Sequence, residues 1–107
     1  MGITKSELFT ESQNELAQLF KAIGHPARVA IIDYLVRVDS CICGDIVNEI
    51  QLAQPTISQH LKELKNAGII KGSVEGTAIC YCLDENILQK FDHYFSSVKM
   101  QLKNKCC

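Results

Sequence analysis

Nowhere in the 107 residues does an apolar run approach the length a membrane-spanning helix needs, so no membrane role is expected. Nothing apolar follows the N-terminus, which argues against a secretory leader and for a cytoplasmic location. Met1-Gly2-Ile3-Thr4-Lys5-Ser6 fits an N-myristoylation pattern, but so short a pattern arises easily by chance and carries no argument. A Gly-rich phosphate loop is missing, as is any nucleophile with an evident base and orienting acid, so no enzyme activity is expected. Charge of one sign is also lacking: 11 Lys and Arg against 12 Asp and Glu leave a net charge of −1. That balance excludes a protein held on nucleic acid by electrostatics alone. There is no internal repeat, low-complexity segment or second domain. Residues 1–107 read as a single domain of ordinary size, with 47% apolar residues to supply a core. Its start (1–10) and its tail (104–107) are expected to be loosely held.

What is present is concentrated between Gln51 and Ile70. Ile57, Leu61 and Leu64 fall at i, i+4 and i+7 and build one apolar stripe on a helix. Gln59, Lys62 and Asn66 lie opposite, with Thr56 and Ser58 on the flanks, so that side has nothing to place in a core. Pro55 is tolerated in the first turn of a helix, and Ala67-Gly68 ends it. Just upstream, Asp45 to Ile50 carries Ile46, Val47 and Ile50 at helical spacing, joined by the tight segment Gln51 to Gln54. Two helices, a short turn and an amide- and hydroxyl-rich open face read as a helix-turn-helix. The candidate DNA contacts are Gln54, Thr56, Ser58, Gln59, His60, Lys62 and Lys71. Gln bonds bidentately to adenine, Ser and Thr serve bases or phosphates, and Lys neutralises phosphate. His60 sits at the edge of the apolar stripe, where packing competes with a base contact. The competing view of the whole face is a solvated side of an ordinary helix.

Charge distribution supports the DNA view. Residues 1–50 hold four basic and seven acidic side chains, whereas residues 51–72 hold Lys62, Lys65 and Lys71 against Glu63 alone. After Gly68, residues 69–74 and 77–83 are β-prone runs separated by Glu75-Gly76, a two-residue hairpin signal. Ile79, Tyr81 and Leu83 would share one face of the second strand, and Ala78, Cys80 and Cys82 the other. Upstream, Glu11 to Ile23 reads as a first helix with Leu16, Leu19, Phe20 and Ile23 on one stripe. Gly24-His25 breaks it, and Pro26 opens a second helix to about Val38 with a wide apolar surface (Val29, Ile31, Ile32, Leu35, Val36, Val38). Asp39 to Gly44 reads as a connection. In the second helix Arg28 would contact a phosphate or pair with an acid, and His25 is read as structural. Asp84 caps a last helix over about 85–103. Its apolar residues, Ile87, Leu88, Phe91, Tyr94, Phe95, Val98 and Leu102, exceed what one small core needs, which points to a partner.

TISQHLKELKNAGII followed by EGTAICYCL resembles the ArsR/SmtB family of bacterial metalloregulatory repressors, and GHPARVAIIDYL (24–35) is similar to that family's second helix. The resemblance covers roughly residues 12 to 95. It implies a mainly α winged helix-turn-helix, five helices plus a β-hairpin wing, assembled as a homodimer through the first and last helices. It also implies an operator of double-stranded DNA read in successive major grooves.

Six cysteines come as Cys41/Cys43, Cys80/Cys82 and Cys106/Cys107. In a reducing compartment structural disulfides are rare and metal or redox roles rise. Paired thiolates suit soft cations. Cys41 and Cys43 sit where a helix N-terminus favours thiolate. The position resembles that of the cysteine pair in the family's arsenic-sensing members, which read Cys-Val-Cys-Asp-Leu. Here Cys41-Ile42-Cys43-Gly44-Asp45-Ile46 lies one residue further N-terminal, and Val47 stands where some members have a third cysteine. The expected ligands are therefore Cys41 and Cys43 with Cys106 and Cys107 of the tail. No cofactor is obligatory; the inducer would be arsenite, antimonite or zinc. The alternative trigger is oxidation or persulfidation joining Cys41 or Cys43 to Cys106 or Cys107. Cys80 and Cys82 are read as small buried apolar residues. The family's acid and histidine site on the last helix lacks partners for Asp92 and His93.

Overall fold

The computed structural model describes residues 5–38, 42–43, 50–75, 78–103 and 105, with side chains over 7–38, 50–72, 80–103 and 105. A 3-10 turn at Lys5–Leu8 precedes α1 (Glu11–Ile23), α2 (Pro26–Arg37), β1 (Ile42–Cys43), α3 (Gln54–Asn66), β2 (Ile70–Glu75), β3 (Ala78–Leu83) and α4 (Glu85–Leu102). The described residues thus hold four α-helices where five were expected. The expected helix over 45–50 lies outside them, except for Ile50, which is helical.

Local chemistry sets most helix ends. Thr10 caps α1 through a reciprocal box: its hydroxyl accepts from the Gln13 N–H, and the Gln13 side chain accepts from the Thr10 N–H, each at 3.0 Å. The His25 ring nitrogen Nδ1 accepts from the Ala27 N–H at 3.0 Å and starts α2, with Pro26 at its first position. Asp84 accepts from the Asn86 N–H at 2.8 Å and starts α4. No side chain caps α3, whose N-cap is Ala53. Its far end is closed by Gly68 at φ +83°, a left-handed conformation that glycine adopts at little cost. Gln51 also takes a positive φ, +61°, in the turn before α3.

The sheet is larger than a hairpin. Its order is β1-β3-β2, antiparallel throughout, so β3 is central. β2 and β3 pair from Ile70 opposite Leu83 to Glu75 opposite Ala78. The two-residue connection is therefore 76–77, one position later than the expected Glu75-Gly76. On the outer edge of β3, Ile42 lies opposite Tyr81 and Cys43 opposite Cys80, where only a connection was expected.

Leu19 and Ala22 of α1, Ile31 and Leu35 of α2, Ile57, Leu61 and Leu64 of α3, and Ile69 and Ile70 form one buried core. Tyr81, Leu83, Ile87 and Phe91 pack against it. The broad apolar surface expected of α2 is only half used: Val29 and Val36 are exposed. On α4 no residue is buried, and Tyr94, Phe95, Met100 and Leu102 are exposed. Phe20, Phe91, Tyr94 and Phe95 meet ring to ring at centroid separations from 5.2 to 6.1 Å along the α1–α4 seam, beside a Lys90–Glu15 ion pair.

Candidate nucleic-acid interface

The site is built by the two-sidedness of α3. Ile57, Leu61 and Leu64 are at most 8% exposed, so they fix the helix's reverse side to the core. Gln54, Thr56, Ser58, Gln59 and Lys62 are all exposed. Their shared face is a polar ridge open to solvent, and Lys65 and Lys71 are exposed too. Pro55, in the first turn, is the one apolar side chain of α3 exposed beside these polar groups. The Gln59 amide donates to Glu63 Oε1 at 3.0 Å, which holds the Gln59 side chain along the helix surface.

His60 leaves the set of expected DNA contacts. It is buried, and its Nδ1 accepts from Arg28 Nε at 3.0 Å. The same guanidinium donates from Nη1 to the Ala22 carbonyl at 2.9 Å. Arg28 thereby ties the end of α1 to α3. The His25 ring lies 4.4 Å from that of His60. An Nδ1 that accepts belongs to a neutral imidazole with its proton on Nε2. Burial, then the neighbouring His25 and Arg28, hold the His60 pKa below its ordinary value. An uncharged His60 is therefore one of the ties between α2 and α3, beside the core contacts of Ile57, Leu61 and Leu64. Sequence reasoning missed this tie, because its partners stand 32 positions apart and no local pattern joins them.

The expected thiol ligands are only partly placed. Cys41, Cys106 and Cys107 lie outside the described residues, and of Cys43 only the backbone, in β1, is described. Among the described residues no three His, Cys, Asp or Glu side chains cluster as a metal site. Cys80 is buried as expected, and Cys82 is half-buried. Both are also disulfide-bonded, so they do more than fill apolar space. No helix among the described residues is long and apolar enough to cross a membrane.

An exposed polar helix face, anchored from behind and followed by an antiparallel hairpin, defines a winged helix-turn-helix DNA-binding domain. Residues 25–71 match the family described as bacterial regulatory protein, arsR family. The chain is 42% identical over 79 residues to an HTH-type transcriptional regulator of Methanocaldococcus jannaschii, covering 72% of this chain and 88% of that one. It is 31% identical over 77 residues to the arsenical resistance operon repressor of Staphylococcus xylosus, covering 72% and 73%. Its fold matches a homodimeric winged helix-turn-helix DNA-binding domain from Mycobacterium bovis with a TM-score of 0.68 at 20% identity, over 99% of this chain and 96% of that one. The chain belongs to the ArsR family of DNA-binding transcriptional regulators. These relatives are regulators, not enzymes, in keeping with the missing catalytic constellation.

Proposed function

We propose that the chain is a homodimeric, cytoplasmic repressor that reads double-stranded operator DNA and releases it when cysteine thiolates bind a soft metal or metalloid. The observation that carries the DNA half is the ridge: Gln54, Thr56, Ser58, Gln59 and Lys62 exposed on a helix whose opposite side is core. Gln59 and Gln54 read base edges, Thr56 and Ser58 bond phosphates, and Lys62 and Lys71 neutralise charge. The exposed Tyr94 and Phe95 of α4, in ring contact with Phe20 of α1, and the exposed Met100 and Leu102 further along α4 fit a second copy and would give two ridges about one DNA turn apart. A relative named for arsenical resistance supports arsenite or antimonite as inducer, with zinc as the other soft candidate, held by Cys41, Cys43, Cys106 and Cys107. Coupling is reciprocal, so DNA weakens inducer binding by the same factor.

The test is a titration of the reduced chain on a duplex it selects from a randomised pool, with arsenite, antimonite and zinc in parallel. Arsenite should release the DNA, and Cys41→Ser with Cys43→Ser should abolish release while leaving binding intact. Truncation after Lys105 asks the same of the tail. Release that survives all of these clears the four thiols of sensing. A second reading, in which thiol oxidation state rather than a metal sets DNA affinity, is favoured by the disulfide-bonded state of Cys80 and Cys82.

A further inference from the structure

The geometry points to a thiol–disulfide site on the sheet, a Cys43–Cys80 staple that fastens β1 to the wing. Cys80 and Cys82 are both disulfide-bonded, and they cannot be bonded to each other. Two residues apart on one strand, their Cα atoms stand roughly 6.5 Å apart with parallel Cβ directions. A disulfide needs Cβ atoms about 3.5–4.5 Å apart. Each therefore has its own partner among the other four cysteines. The register supplies one: Cys43 of β1 lies directly opposite Cys80 of β3. Residues facing each other across an antiparallel pair have Cα atoms about 4.5–5.5 Å apart, within the 4.4–6.8 Å span of a disulfide. Neither member is a tail cysteine, so the staple closes inside the fold. Cys80 is 1% exposed, so its sulfur is shielded from bulky thiol reagents.

The staple's position gives it a consequence for DNA, and that consequence rests on the operator-binding reading above. β1 has two residues and precedes the helix-turn-helix. β3 pairs on its other side with β2, which leaves α3 through Gly68 and Ile69. A covalent bond from β1 to β3 therefore joins the strand leading into the reading head to the wing behind it. Without it, the described residues fasten that edge by a two-residue ladder.

The chemistry needs one two-electron oxidant, hydrogen peroxide. One thiolate attacks a peroxide oxygen, the O–O bond breaks, and a sulfenic acid forms as hydroxide leaves and takes up a solvent proton to become water. The second thiol attacks the sulfenic sulfur, its proton leaving with the hydroxide as a second water, and the S–S bond closes. An added dithiol reverses the step by exchange and is itself oxidised.

The test uses the full-length chain. Cys41 and Cys43 share the tryptic peptide 38–62, and Cys80 and Cys82 share 72–90. Pairing is therefore read in a Cys41→Ser, Cys82→Ser variant, which keeps Cys43, Cys80 and both tail cysteines. This variant is reduced, treated with hydrogen peroxide, alkylated, digested and weighed, with circular dichroism confirming its fold. Peptide 38–62 linked to 72–90 is expected. Peptide 72–90 linked to the tail, or alkylated at Cys80, overturns the staple. In parallel, the wild-type chain is titrated on its selected duplex. Reduction should weaken binding severalfold, and Cys43→Ser should bind alike under both conditions. Equal affinity of oxidised and reduced wild type overturns the regulatory role. Loss of DNA binding in both states would sink the operator reading instead, while the peptide map still decides the bond.

Discussion

Ile57 and Gln59 stand two positions apart on α3 and face opposite ways, so truncating each to alanine separates anchoring from reading. Ile57 is 1% exposed. Ile57→Ala removes three carbons from water-free surroundings, about 2.4 kcal/mol at ~0.8 kcal/mol each. The void left behind adds about 1 kcal/mol more. A loss of about 3–4 kcal/mol is a large share of the roughly 5–15 kcal/mol that holds a domain of this size together. The melting temperature should fall by about 15 °C or more. Gln59 is exposed, and its bond to Glu63 is a surface i, i+4 contact. Its removal should cost only about 0.2–0.5 kcal/mol of stability. On the selected duplex, however, losing a bidentate base contact costs about 1–3 kcal/mol, roughly 5- to 150-fold in affinity, with little change on random DNA. Thermal melts followed by circular dichroism and anisotropy titrations on both duplexes measure the two quantities. If Gln59→Ala melts as early as Ile57→Ala, the ridge is packed against protein and cannot enter a groove. Equal loss on selected and random DNA would leave α3 in place but remove Gln59 as a base reader.

Three further outcomes follow from the same structure. Gly68→Ala puts a Cβ at φ +83°, where its nearest neighbours, Ile87 atoms at 3.5 Å, are at ordinary contact; the cost is backbone strain of about 1 kcal/mol, and an unchanged urea midpoint would contradict it. His60 has a folded-state pKa below its unfolded value near 6.5. The unfolded chain therefore takes up the proton first, and stability should be full above about pH 6.5, decline below it, and level off once the folded chain is protonated too. His60→Asn, which keeps an acceptor toward Arg28 but does not titrate, should flatten that decline; parallel curves for variant and wild type would assign it elsewhere. Phe95 is 50% exposed and 5.7 Å ring to ring from Phe20. Phe95→Asp should therefore convert a dimer into monomers in sedimentation at micromolar concentration, and a surviving dimer would place the interface on another surface.

Features set within one turn of chain were legible in advance, and features set by topology were not. Gly24-His25, Pro26 and Asp84 marked the end of α1, the start of α2 and the start of α4, each acting within a few positions, whereas the equally local Thr10 cap was not read. The stripe of Ile57, Leu61 and Leu64 was equally readable, because helical spacing alone puts them on one face. Val29 and Val36 fit the same kind of pattern yet stay exposed, since periodicity says which face is apolar but not how much of it a neighbour covers. The tie from Arg28 to His60 depends on how α2 crosses α3, which no window along the chain contains. Strand β1 failed to show for a related reason: two residues have no period of their own, and they extend only because β3 offers a free edge beside them. Cys80 combines both cases. Its small apolar side chain foretold burial, but its bond depends on which segment occupies that edge. A cysteine's role in a small sheet is thus decided less by its neighbours in sequence than by the strand that arrives opposite, and here the arriving strand brings a thiol into register.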